Sequence, residues 1–130
     1  MSLGVEVIQH KEYVEAIVSG EFDLQDAVDK FQVIIITCKI AGLSKVLIDF
    51  RELEGDILAL QKIICSFQVI EQVKLYFESK SSDIQLAYLG KAPQVSSYKP
   101  GLEIAKMEGI QAIVTVDINE AYEWLGVKAT

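Results

Sequence analysis

Two short apolar runs open the chain. Val5–Gln9 and Tyr13–Val18 are rich in β-branched residues, and the His10-Lys11-Glu12 link between them is of turn length. Branching at Cβ restricts a side chain in a helix and suits a pleated surface, so both runs favour extended backbone. The pattern predicts two strands able to pair as an antiparallel hairpin, with Gly20 closing the second. The period then lengthens. Leu24, Ala27, Val28, Phe31, Ile35 and Cys38 fall on one face of a helix. Asp23 stands where a short carboxylate accepts the orphan N–H groups of a first turn, with Asp26 just inside. Gly42 stands where a left-handed C-terminal cap is expected. The run FQVIIIT inside this stretch is β-prone by residue type. The caps and the longer period nevertheless point to a helix.

Val46–Phe50 is nearly continuous in apolar residues, as expected of a strand covered on both faces. From Asp56 to about Glu78 a long helical pattern runs through Leu60, Ile64, Phe67, Ile70 and Phe77. Ser79–Asp83 reads as a loop, Ile84–Leu89 as a strand ended by Gly90, and Ala92–Gly101, with both prolines, as a flexible surface segment. A short helix Glu103–Met107 stopped at Gly109, a strand Ala112–Val116 and a last helix follow. Asp117 or Asn119 caps that helix, which runs through Tyr122, Trp124 and Leu125 to Gly126. Strands alternating with helices imply right-handed crossovers and parallel pairing, with the first strand as the antiparallel exception. The expected architecture is α/β: a mixed five-stranded sheet, mostly parallel, with about four helices, in a single domain spanning all 130 residues.

Composition narrows the chemistry. With 51% hydrophobic and 24% charged residues the chain has the balance of a globular protein. Its formal net charge of -7 repels phosphate backbones and anionic lipid, so no nucleic acid partner is expected. No stretch reaches the roughly 18 apolar residues of a membrane span. No secretory pattern opens the sequence, and Ser2 occupies the place where myristoylation needs glycine. The expected location is the cytoplasm. Cys38 and Cys65 both lie in apolar helical patterns and read as reduced, buried thiols. His10 is the only histidine, so no metal site and no cofactor are expected. No glycine-rich phosphate loop occurs, and no nucleophile, base and orienting group can be named together.

Several short motifs resemble the STAS domain of bacterial anti-sigma factor antagonists. Gly20-Glu21-Phe22-Asp23 resembles the family's Gly-Glu-x-Asp, which ends its second strand and caps its first helix. Lys45–Leu53 resembles the strand and turn before its second helix. Met107-Glu108-Gly109-Ile110 through Asp117 is similar to its helix, glycine, strand and acidic segment, and Glu120–Val127 to its last helix. The resemblance implies a SpoIIAA-like fold and a regulatory module that binds a protein. One part does not carry over. The antagonists bear an Asp-Ser pair at the start of the second helix, and that serine is phosphorylated. Here Glu54-Gly55-Asp56-Ile57-Leu58-Ala59 stands at that place, and no hydroxyl occurs from Asp49 through Lys62. The pattern looks closest to a SpoIIAA-like branch grouped with the CRAL-TRIO fold, whose members bind hydrophobic ligands.

Two sets of residues are candidates for a partner or ligand surface. Asp49, Arg51, Glu54 and Asp56 follow a parallel strand, at the carboxyl end where open α/β sheets bind ligands. The plainer reading makes Asp56 a helix cap, Glu52 and Glu54 loop charges, and Arg51 the partner of one of them. The other set is the apolar excess on the helices. The first carries Val33, Ile36 and Ile40 off its main stripe, and the second carries Leu58, Val69, Val73 and Tyr76 among others. One stripe suffices to cover a sheet. The surplus serves either broad packing between helices or an outward surface, here expected around Leu58, Val69, Val73 and Tyr76, for a second copy or an apolar molecule. The expected function is a non-enzymatic binding module acting through a protein partner or a homodimer. The alternative is a carrier of a lipid-like small molecule.

Overall fold

The computed structural model describes residues 3–54, 68–74, 84–92, 103 and 106–128. Strands β1 (Leu3–Gln9) and β2 (Val14–Glu21) form the expected antiparallel hairpin, with the His10 N–H donating to the Tyr13 carbonyl in the turn. Strands β3 (Lys45–Glu54), β4 (Gln85–Leu89) and β5 (Gln111–Thr115) follow, each parallel to the one before. The five strands lie side by side in chain order. Right-handed crossovers between strands laid down in one direction all put their connections on one face of the sheet.

That face is covered by α1 (Leu24–Ala41) and by α2, the helical residues 68–74. Phe31, Ile35 and Cys38 from α1 and Ile70 from α2 pack there on Ala16, Ile48 and Leu86. Burial of this stripe outweighs the β propensity of the FQVIIIT run, because tertiary packing supplies most of a helix's stability. The caps fix its ends as expected. The Asp26 N–H donates to Asp23 Oδ1 at 2.9 Å, and Gly42 adopts the left-handed conformation at φ 71° with its N–H aimed at the last carbonyls. Asp23→Ala should therefore lower stability by about 1 kcal/mol, read as a shift in urea midpoint. An unchanged midpoint would mean that the cap bond contributes nothing in solution. Burial pushes the Cys38 thiol up to about 12, which makes it inert at neutral pH.

The opposite face carries α3 (Ile118–Leu125), which lies over β3, β4 and β5. Ala121 and Leu125 pack on Leu47, Ala87 and Leu89. Its N-cap is Asp117, whose carboxylate accepts the Asn119 N–H, so Asp117 rather than Asn119 starts the helix.

Several expectations are corrected. Three helices of a full turn or more, α1, α2 and α3, stand among the described residues, against about four expected; at the place of the expected helix Glu103–Met107 only residues 103, 106 and 107 are described, and these are helical. β3 does not stop at Phe50 but continues through Glu54, so Arg51, Glu52 and Glu54 are strand residues, not loop charges. Val73 is fully buried in the core between α1 and the sheet, and Val69 is partly buried against it. Neither is an outward surface. α2 packs into the same core cluster as α1, with Val69, Ile70 and Val73 on one inward face. The expected loop Ser79–Asp83 and the helix start at Asp56 lie outside the described residues; of the expected surface segment Ala92–Gly101 only Ala92 is described, and it is helical. Among the described residues no helix is long and apolar enough to cross a membrane.

Candidate interaction surface

α3 lies mainly over β3, β4 and β5, and among the described residues no helix is packed broadly over β1 and β2 on that side of the sheet. Pairing register decides what lies there. Gly4 faces Ser19 and Glu6 faces Ile17 across the hairpin, and Ile17 faces Asp49 on β3. Successive strand residues alternate between faces, so Gly4, Glu6, Ile17, Ser19 and Asp49 share one face.

Beyond Asp49 the ladder slips. From Ile17 to Ser19 the chain advances two residues on β2, while β3 advances three, from Asp49 to Glu52. β3 thus carries a β-bulge, which bends a strand and re-aims its side chains. Arg51 and Glu52, adjacent in sequence, consequently both line the same pocket. This pocket, of about 560 Å3, is bounded by Gly4, Val5, Glu6, Ile17, Ser19, Asp49, Arg51 and Glu52.

Asp49 and Arg51 are its best-defined feature. Arg51 Nε donates to Asp49 Oδ1 at 3.0 Å and Nη2 to Oδ2 at 2.8 Å, a two-pronged pair. The Arg51 backbone N–H also donates to Oδ1 at 3.1 Å, so the same carboxylate holds the bulge. The Asp49 side chain is only 9% exposed, whereas that of Arg51 is 44% exposed. Hydrogen bonding to Asp49 holds the Arg51 guanidinium above its already high pKa, with Glu52 adding to the effect. Arg51 is fixed as a cation with part of its head in water.

A polar cluster adjoins this pocket towards the hairpin turn. His10 stacks on Tyr13 at 4.4 Å between ring centroids, and its Nε2 lies 2.8 Å from Glu15 Oε1. Tyr13 meets Tyr122 of α3 edge to face at 6.1 Å. Burial pushes the Tyr122 phenol up to about 12, Tyr13 and Glu15 add to the shift, and Arg51 opposes it. A raised phenol pKa gives a definite sign. Unfolded tyrosine loses its proton near 10 and folded Tyr122 near 12, so its contribution is complete below pH 10 and falls away between 10 and 12. Cys38 acts the same way from about 9 upward. Tyr122→Phe should remove part of the stability loss between pH 10 and 12, measured by urea melts across that range. An identical decline in both proteins would show that Tyr122 titrates normally.

Of the residues singled out from sequence, Asp49 and Arg51 come together as one unit. Glu54 is exposed at the end of β3, away from the pocket. Asp56, Leu58 and Tyr76 lie outside the described residues. Gly4, Glu6, Ile17 and Ser19 were missed. The hairpin held the signal: once its short turn sets the register, alternation places Glu6, Ile17 and Asp49 in a row. Among the described residues no group of three His, Cys, Asp or Glu side chains is placed to hold a metal.

No family model matches the sequence, and no curated protein matches it. Solved structures do. An anti-sigma factor antagonist from Mycobacterium paratuberculosis superposes with a TM-score of 0.60 at 13% identity, over 96% of this chain and 95% of that one. A protein of the DUF3478 family with a SpoIIAA-like fold, from Shewanella loihica PV-4, gives 0.56 at 16% identity, over 95% and 93%. The anti-sigma factor antagonist SpoIIAA in its unphosphorylated form gives 0.55 at 12% identity, over 97% and 100%. The likeness is one of fold. The chain has the SpoIIAA-like architecture: a five-stranded mixed sheet with one antiparallel pair and helices on both faces.

Proposed function

We propose that the chain is a non-enzymatic, cytoplasmic regulatory module that binds a protein partner through the uncovered sheet face around Asp49 and Arg51. One observation carries the reading. A nearly buried carboxylate and a half-exposed guanidinium, joined by two hydrogen bonds, sit on a sheet face over which no helix is broadly packed among the described residues. Burying charge is costly, and such a pair on a bare face contributes little to stability. It does present a rigid, oriented polar group to a partner. Similarity of fold to anti-sigma factor antagonists supports a regulatory role through protein contacts. The phosphoserine switch of those proteins is not part of the reading, since no hydroxyl occurs from Asp49 through Lys62. The described pocket is charged and gives no support to the apolar carrier.

A photo-reactive phenylalanine analogue at Ile17, in the pocket, tests the proposal in the cells of origin. The expected result is a covalent adduct with a second kind of protein, lost when Glu52→Lys reverses the charge beside it. An adduct of twice the chain's own mass would instead make the face a homodimer surface. Absence of any adduct from a folded protein would rule out this face.

A further inference from the structure

The uncovered pocket has a charge and a shape that specify more than a generic partner. Glu6, Asp49 and Glu52 bring three carboxylates to it, against the single guanidinium of Arg51. Asp49 takes both prongs of that guanidinium, and Glu52 lies close enough to act on it electrostatically. Glu6, across on β1, has no ion-pair partner among the described residues. Among the described residues the pocket therefore keeps an excess of negative charge after Arg51 is counted. Between the carboxylates lies the Ile17 side chain, and the Ser19 hydroxyl adds one neutral polar group.

Gly4 leaves the hairpin side of the pocket open. A Cβ there would stand 3.1 Å from Ser19 Oγ, so a side chain at this position would displace the Ser19 hydroxyl and narrow that side. One apolar side chain, Ile17, set among acidic groups matches a long basic side chain, whose methylene stem packs while its head stays charged. A guanidinium fits best, being planar, weakly hydrated and able to offer two N–H donors to one carboxylate. The whole chain, at -7, steers a basic segment towards itself.

We propose that this pocket docks an arginine side chain from a basic segment of the protein partner, seated between Glu6 and Glu52 over Ile17. The proposal rests on the protein-binding reading above and names the chemistry of its partner. The probe is the peptide acetyl-Gly-Arg-Gly-Arg-Gly-amide, titrated into the isotope-labelled chain with amide shifts read by NMR. Its counterpart with citrulline for arginine keeps the shape and removes the charge.

The expected result is a saturable shift of the amides of Gly4–Glu6, Ile17–Ser19 and Asp49–Glu52. Citrulline, or the paired change Glu6→Gln and Glu52→Gln, should weaken binding about tenfold. Glu71→Gln with Glu123→Gln removes the same charge from exposed helix positions and should change it less than about twofold. Gly4→Val should abolish the shifts without altering charge, its amide dispersion showing that it still folds. Equal weakening by both glutamine pairs would overturn the proposal, since the peptide would then be sensing net charge alone. So would an equal response to citrulline, or no localised shift. A cross-link at Ile17 with a flat arginine titration would leave the protein-binding reading standing and remove this one.

Discussion

Val73→Glu should unfold the chain at room temperature. Val73 is 0% exposed, on the inner side of α2, in the cluster that joins α1 to the sheet through Ile35, Ile70, Ile84 and Leu86. The cluster it packs into is apolar. An unpaired carboxylate moved into such a place costs several kcal/mol, and overpacking adds to it, against a total stability of about 5–15 kcal/mol. Val33→Glu supplies the contrast. Val33 is 50% exposed on the outer side of α1, and the same change there should stay within about 0.5 kcal/mol. Far-ultraviolet circular dichroism and urea melts of both variants check the pair. A folded Val73→Glu with a near-native midpoint would mean that α2 does not pack as described, and that its apolar surplus faces outward after all.

Those two valines show where the sequence was legible and where it was not. Both lie on helices with more apolar residues than one stripe needs, and periodicity alone cannot separate surplus turned to a neighbouring helix from surplus turned to water. Val73 turns inward because α2 packs into the same core cluster as α1, a consequence of strand order, which no local pattern encodes. Ile40, at 83% exposed, turns outward. The caps were readable because their chemistry is local: Asp23 bonds an N–H three residues on, and Gly42 needs only its own φ. The charged end of β3 was half readable. Asp49 stood out as a carboxylate in an apolar run, and Arg51 was an obvious partner. The bulge that puts Arg51 and Glu52 into one pocket depends on pairing with β2, so the switch to charge after Phe50 was read as a turn. Glu6 and Gly4 reach the site only through the hairpin register, some forty residues away in sequence.

The Asp49–Arg51 pair should show strong non-additivity. Arg51→Met leaves the Asp49 carboxylate, 9% exposed, without its counter-charge. Removing one member of a buried pair typically costs about 3–5 kcal/mol, and the pocket is open to water, so the lower end, about 3 kcal/mol, is expected. Asp49→Asn behaves differently. Its amide oxygen can still accept the Arg51 backbone N–H that holds the bulge, and the half-exposed guanidinium can turn to solvent. About 1 kcal/mol is expected for that change alone. Placed together, the two should cost less than Arg51→Met by itself, because a neutral amide needs no counter-charge while the bulge contact survives. The coupling energy from the double-mutant cycle should fall at about 1–3 kcal/mol. Urea melts of the four proteins measure it. Simple addition of the two single costs would show that the pair is no more than a solvated surface contact, and would take away the rigid polar group on which the proposed binding face depends.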